Sequence, residues 1–264
     1  MEYKNMTFET NDGVAVVTLN RPDSNNTLSV DLMQELEAMA DALQTDLETK
    51  AVVFTGAGKN FSMGADVADP KQHELQSGPV LKKLRGFSLG PRMITKLNSI
   101  PQITIAAVNG FSLGGGTCIA SALDFRIGAE NCKCGLPENN LGMNLSWLAL
   151  PLIVNLIGPS RAKQFVILSK NETAQTLHNW GWLNEVVPQD QLMERAMELA
   201  REYAAKAPLT TQMIKRSINT LAQALDSDIM HMDSEQYILA SMTEDYKEGL
   251  TALMERRKPA FKGR

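Results

Sequence analysis

Two short stretches carry residue types and spacings that could do chemistry. Gly114-Gly115-Gly116 follows an apolar run, Ile103-Thr104-Ile105-Ala106-Ala107-Val108, and precedes a helix-compatible run over residues 117–123. A strand, a glycine turn and a helix start in succession leave backbone N–H groups pointing outward, in the positive potential of a helix N-terminus. Such a place suits an anion, either a phosphate or an oxyanion developing in a reaction. The same triplet reads equally well as a tight turn with close helix–strand packing. The second stretch, Leu136-Pro137-Glu138-Asn139-Asn140, sets one carboxylate just after a strand and a helix-breaking proline, between apolar runs. Burial there raises a carboxyl pKa and lets it shuttle a proton near neutral pH. On an open surface loop it is only a solvated charge.

Other candidates compete. Gly110-Phe111-Ser112-Leu113-Gly114 matches the nucleophile-elbow pattern of a hydrolase and lies between a strand and a helix. That reading needs an acid and a histidine further along. His178 and His231 are available, but neither sits in a convincing loop after a strand. Cys132-x-Cys134 has no second Cys/His pair beside it, and the three cysteines form no disulfide framework. The three histidines have no metal-ligand spacing to one another, so no metal is expected.

The elements that must position these groups follow the hydrophobic pattern. Val14–Leu19, residues 51–55, Ile103–Val108 and residues 125–128 read as strands. Ser29 caps a helix carrying Leu32, Leu36, Met39 and Leu43. Residues 61–66 read as a loop, and residues 81–97 as one helix. From residue 145 to 207 the pattern is mainly helical, with Ser160, Thr173 and Gln189 near helix starts and Val186-Val187 as a short strand. Pro208 marks a break before helices over residues 209–225 and 234–257. Strands alternate with helices early and helices dominate late, which predicts an α/β core over 1–207 and a helical C-terminal region over 208–264.

The bulk numbers exclude some functions. The chain has 264 residues, 26 Lys+Arg against 30 Asp+Glu and a net charge of -4. That balance gives no general attraction to nucleic acid or anionic membrane. The polar residues 1–10 lack a signal-peptide core, and no apolar run reaches membrane-spanning length. A cytoplasmic protein is the expectation.

Five pieces in order resemble the crotonase superfamily, the enoyl-CoA hydratase/isomerase family. They are Val16-Val17-Thr18-Leu19-Asn20-Arg21-Pro22; Phe61-Ser62-Met63-Gly64-Ala65-Asp66; the stretch from Ala106 to Gly116; Leu136-Pro137-Glu138 with Leu141-Gly142; and the stretch from Glu248 to Phe261. The resemblance covers nearly the whole chain. It implies a spiral of repeated β-β-α units with a helical C-terminal trimerisation region, and a homotrimer or dimer of trimers. It implies an acyl-CoA thioester substrate, with CoA as part of the substrate and no separate cofactor.

The resemblance also implies roles. The N–H groups of Ala65 and Gly115 match the pair that holds the thioester oxygen as an enolate forms. Ala65, Asp66, Val67 and Ala68 match the CoA-contacting loop, and Arg256 and Lys258 match basic positions near the CoA phosphates. Glu138 matches one of two hydratase glutamates, while Cys118 stands where the other would be. Glu138 is then the only carboxylate expected beside the substrate α-carbon, with Cys118 opposite. Since one carboxylate suffices to move a proton from the α- to the γ-carbon, 3-enoyl to 2-enoyl isomerisation is the leading expectation. Enoyl-CoA hydration with an unidentified helper group is the alternative. A non-catalytic acyl-CoA binding protein is the rival of another class. Met63, Met143 and Trp147 are candidates for the acyl pocket.

Overall fold

The computed structural model describes residues 3–264. Among these, six strands form one sheet: β1 (Met6–Asn11), β2 (Val14–Leu19), β3 (Ala51–Gly56), β4 (Ile103–Val108), β6 (Phe125–Ala129) and β9 (Glu185–Val187), in that spatial order. A second sheet holds β5 (Phe111–Leu113), β7 (Lys133–Gly135) and β8 (Glu172–Thr173). β1 and β2 pair antiparallel, and β2 to β9 are parallel across the larger sheet. All residues of β3 and β4 are buried, as near-continuous apolar runs in a covered parallel sheet should be.

The expected repeat is visible in the chain order. β4 enters the large sheet, β5 the small one, and the helix Gly115–Ala122 follows. β6 and β7 repeat the strand pair. β3 begins a similar unit, but its second strand is reduced to a single bridge, Ser62 to Ser112, before the helices Pro70–Leu75, Val80–Phe87 and Leu89–Asn98. The single helix expected over 81–97 is therefore two, broken at Ser88.

Ser29 caps the helix Val30–Leu43 by accepting the Leu32 N–H, and Thr173 caps Ala174–Trp180, both as read from sequence. From Pro208 to Met254 the chain is mainly helical, in four helices rather than the two expected: Pro208–Ala222, Asp226–Ile229, Asp233–Ser241 and Glu244–Met254. The first of these is pinned to the core by Lys215. Its buried ammonium bonds Gln102 O at 2.8 Å and Asp124 Oδ2 at 2.6 Å, and Asp124 in turn accepts from Thr104 N and Oγ1. No described helix is long and apolar enough to cross a membrane.

Candidate active site

The loop carrying Ala65 is fixed from both sides. Asn26, fully buried, donates to Ala57 O and Asn60 O at the loop's root and accepts the Arg21 N–H. The Ser62 hydroxyl donates to Asn26 O, while Ser62 N donates to Phe111 O and Leu113 N to Ser62 O. The loop thus docks along β5. It then turns at Gly64, whose φ of 87° suits glycine, and pairs with Leu28 through Leu28 N to Gly64 O and Asp66 N to Leu28 O.

This docking brings the loop to the glycine triplet. A Cβ built on Gly64 would stand 3.3 Å from the Gly115 nitrogen. Gly115 is the first residue of its helix, so its N–H has no partner within the helix. Neither Ala65 N–H nor Gly115 N–H is hydrogen-bonded among the described residues. Two free donors therefore stand in neighbouring places, one at a helix N-terminus, where negative charge is favoured. The far end of that helix is held by the buried Arg126, which donates to Leu123 O at 2.6 Å and Trp182 O at 2.5 Å. Burial lowers the Arg126 pKa to about 10, so it stays cationic at neutral pH where a helix C-terminus favours a cation.

Glu138 reaches the same place through the small sheet. Leu113 and Gly135 are partners in the β5–β7 register, and Gly114 N donates to Gly135 O at 2.9 Å. Three residues after Gly135 the chain is in the turn Pro137–Leu141, clamped by Asn139 Nδ2 to Ile167 O and Asn140 Nδ2 to Ser169 O. A Cβ built on Gly114 would stand 3.0 Å from Glu138 Oε1. The residue as a whole is half-buried. Oε2 is buried and takes no hydrogen bond from any described residue. Burial raises the Glu138 pKa to about 7, as the sequence reading anticipated if the carboxyl were buried.

Cys118 lies one helical turn beyond Gly114, its N–H bonded to Gly114 O and its side chain 2% exposed. Burial raises its thiol pKa well above the usual value, and the Glu138 and Asp233 charges raise it further. It is a neutral thiol at pH 7. The second name in that pair is a carboxylate that the sequence did not single out. Asp233 is 4% exposed, and burial brings its pKa to about 6. It accepts the Trp147 N–H at 3.0 Å, and the N–H groups of Trp147 and Leu148 partly offset the effect of burial. Both of those residues have left-handed backbone, with φ of 66° and 56°, which costs about 1–2 kcal/mol each for a residue with a Cβ. No local pattern around Asp233 signals this, because its partner lies 86 positions away.

The remaining candidates lie outward. Asp66 forms an ion pair with Arg21 at 2.9 Å and accepts the Ala68 N–H; Val67 and Ala68 are exposed. Arg256 and Lys258 are exposed in the turn after the last helix, and no hydrogen bond or ion pair joins their side chains to the loop of Ala65. The hydrolase reading fails on geometry. Ser112 Oγ is buried without a hydrogen-bond partner, while His178 and His231 bond Leu183 O and Asp228 O.

The description "Enoyl-CoA hydratase/isomerase" belongs to the family model that matches residues 9–264. The chain belongs to the enoyl-CoA hydratase/isomerase family. It is 35% identical to a short-chain-enoyl-CoA hydratase of Clostridium acetobutylicum, with 100% of both chains covered. It is 31% identical to a crotonyl-CoA hydratase of Syntrophomonas wolfei, with 99% of each covered. Among solved structures, an enoyl-CoA hydratase from Mycobacterium avium subsp. paratuberculosis superposes with a TM-score of 0.87 at 25% identity, covering 99% of this chain and 100% of the other. The crotonase fold expected from sequence is thus the fold of this family member.

Proposed function

We propose that this chain is an enoyl-CoA hydratase acting on short-chain 2-enoyl thioesters. The Ala65 and Gly115 N–H groups hold the thioester oxygen and Glu138 moves the proton. The observation that carries this reading is the buried, unbonded Oε2 of Glu138, on a carboxyl beside the glycine turn that presents the Gly115 N–H.

One carboxylate can serve both halves of the addition. Glu138 takes a proton from water as the water oxygen bonds to the β-carbon, and the electron pair of the double bond moves onto the thioester oxygen as an enolate. Two backbone donors stabilise that oxygen. The protonated Glu138 then returns the proton to the α-carbon, so one water is added in all. A pKa near 7 suits a group that must be base and then acid.

Cys118 alone favoured isomerisation. The relatives named above are hydratases, and their names support hydration as the main reading. Isomerisation stays as the second reading because Cys118 leaves the site without a second glutamate, and the same Glu138 could carry a proton from the α- to the γ-carbon. Asp66, Val67 and Ala68 are assigned to the CoA edge of the site, with Cys118 beside the reacting carbons. Arg256 and Lys258 are assigned to the CoA phosphates of a neighbouring copy. The region 208–264, whose Leu209, Met213, Ile218 and Leu221 are exposed, is assigned to a trimer or dimer of trimers. Assaying purified protein with crotonyl-CoA and with a 3-enoyl-CoA separates the readings. Hydration faster than isomerisation supports the proposal, and the reverse order overturns it. Binding without either turnover would mark an acyl-CoA binding protein.

A further inference from the structure

Trp147 packs beside the residue that carries the free Gly115 amide. A Cβ built on Gly115 would collide with Cζ3 of its ring and come within 2.9 Å of Leu28 Cδ1. A Cβ built on Gly90 would collide with the other side of the same indole, at Cδ1, Nε1 and Cε2. The ring therefore spans from the helix Leu89–Asn98 to the helix Gly115–Ala122, lying on two glycines that leave room for it. Any other residue at 90 or 115 would push it out. The backbone under the ring is held in place too. Trp147 and Leu148 are consecutive left-handed residues, a conformation that Gly adopts readily and Trp and Leu do not. Asp233, reaching over from the helix Asp233–Ser241, accepts the Trp147 N–H, and the Leu148 N–H beside it also favours its charged form.

We propose that Trp147 is the chain-length stop of the acyl pocket, and that Asp233 is the positioning residue that keeps its ring between Gly90 and Gly115. This rests on the assignment of Gly115 as a donor to the thioester oxygen. An acyl chain whose carbonyl is held at Gly115 and which runs toward the groove between the two helices meets the indole within a few carbons. Short acyl groups fit in front of the ring, and long ones require it to move. Leu28 closes the same face, so the stop is a wall of two side chains with Trp147 as its larger part. The selectivity lies in a residue whose own backbone is strained unless a buried carboxylate supports it.

The test is binding of butyryl-CoA and decanoyl-CoA, both saturated and therefore unreactive in hydration, measured by calorimetry. Wild-type protein should bind butyryl-CoA at least tenfold more tightly than decanoyl-CoA. Trp147→Gly, which removes the ring and relaxes the positive φ, should reduce that preference at least tenfold. Trp147→Leu is the second variant and should move the preference in the same direction, less far. Asp233→Leu should also erode it, with Asp233→Asn, which keeps one acceptor oxygen, in between; a merely structural Asp233 would lower the melting temperature and leave the preference alone. No preference in wild type, or an unchanged preference in folded Trp147 variants, overturns the proposal. A wild-type preference for butyryl-CoA without hydration of crotonyl-CoA leaves the stop in place and removes the hydratase reading. Failure to bind either ligand removes both.

Discussion

Glu138 Oε1 occupies the space a side chain on Gly114 would need, 3.0 Å from a Cβ built there. The glycine turn and the carboxylate are therefore one arrangement. The residue preceding the donor at Gly115 lacks a Cβ, and the proton carrier sits in the room left. The relation depends on the β5–β7 register, which aligns Leu113 with Gly135, and on only two residues between Gly135 and Glu138.

The oxyanion donor is tested at Gly115. Gly115→Pro deletes the N–H, but any Cβ there also meets Trp147. Gly115→Ala adds the Cβ and keeps the N–H, so the difference between the two variants isolates the donor. We expect kcat for crotonyl-CoA in the proline variant to fall about 10²–10³-fold below the alanine variant. Equal rates would remove Gly115 N–H from the mechanism.

The Glu138 pKa gives two pH predictions. As the base it must be ionised, so kcat/KM should rise with pH through about 7 and level off above it. Its folded pKa is raised above the unfolded value, so the folded state binds the extra proton between the two. Stability from this group is present at low pH and lost as pH rises from about 4.5 to about 7. Glu138→Gln should therefore be more stable than wild type at pH 8, by up to about 3 kcal/mol, and nearly equal to it at pH 4. Denaturant unfolding at the two pH values measures this.

Cys118→Glu restores the second glutamate of the family pattern but places it in a buried position already facing Glu138 and Asp233. Like charges disfavour ionisation. The apparent pKa of the kcat/KM profile should move upward by about one unit or more relative to wild type. An unchanged profile would mean that residue 118 does not share the site's electrostatics.

Lys215 tests how the C-terminal helices are held. Its ammonium is buried on Asp124 and Gln102 O. Lys215→Met removes one partner of a buried ion pair and should cost about 3–5 kcal/mol of stability. Adding Asp124→Asn should recover part of that loss. A cost below about 1 kcal/mol would show the pair to be dispensable, as exposed pairs are.

Much of the fold was legible because the central strands are written as apolar runs. Val14–Leu19, Ala51–Gly56 and Ile103–Val108 lie buried in the middle of the sheet, where composition alone identifies a strand. The edge strand Met6–Asn11 was not read, since its Thr, Glu and Asn residues face outward and it is defined by pairing with β2. β5 and β7 have three residues each and exist only through each other. At the site, the glycine triplet around Gly115 and the proline before Glu138 are local signals that the sequence offers by itself, whereas Ala65 lies in a stretch that reads only as a loop and is singled out by the family resemblance alone. Asp233 has no such signal, since its burial comes from docking onto Trp147 and Leu148, far away in sequence.

The central claim is that Glu138 carries the proton for addition of water to a 2-enoyl thioester. The most direct measurement is kcat/KM for hydration of crotonyl-CoA by wild type and by Glu138→Gln at pH 8. At that pH the wild-type carboxyl is mostly ionised, and the amide cannot accept a proton. The account predicts clear hydration by wild type and a loss of about 10²–10⁴-fold in the variant. Hydration by Glu138→Gln within tenfold of wild type would contradict it.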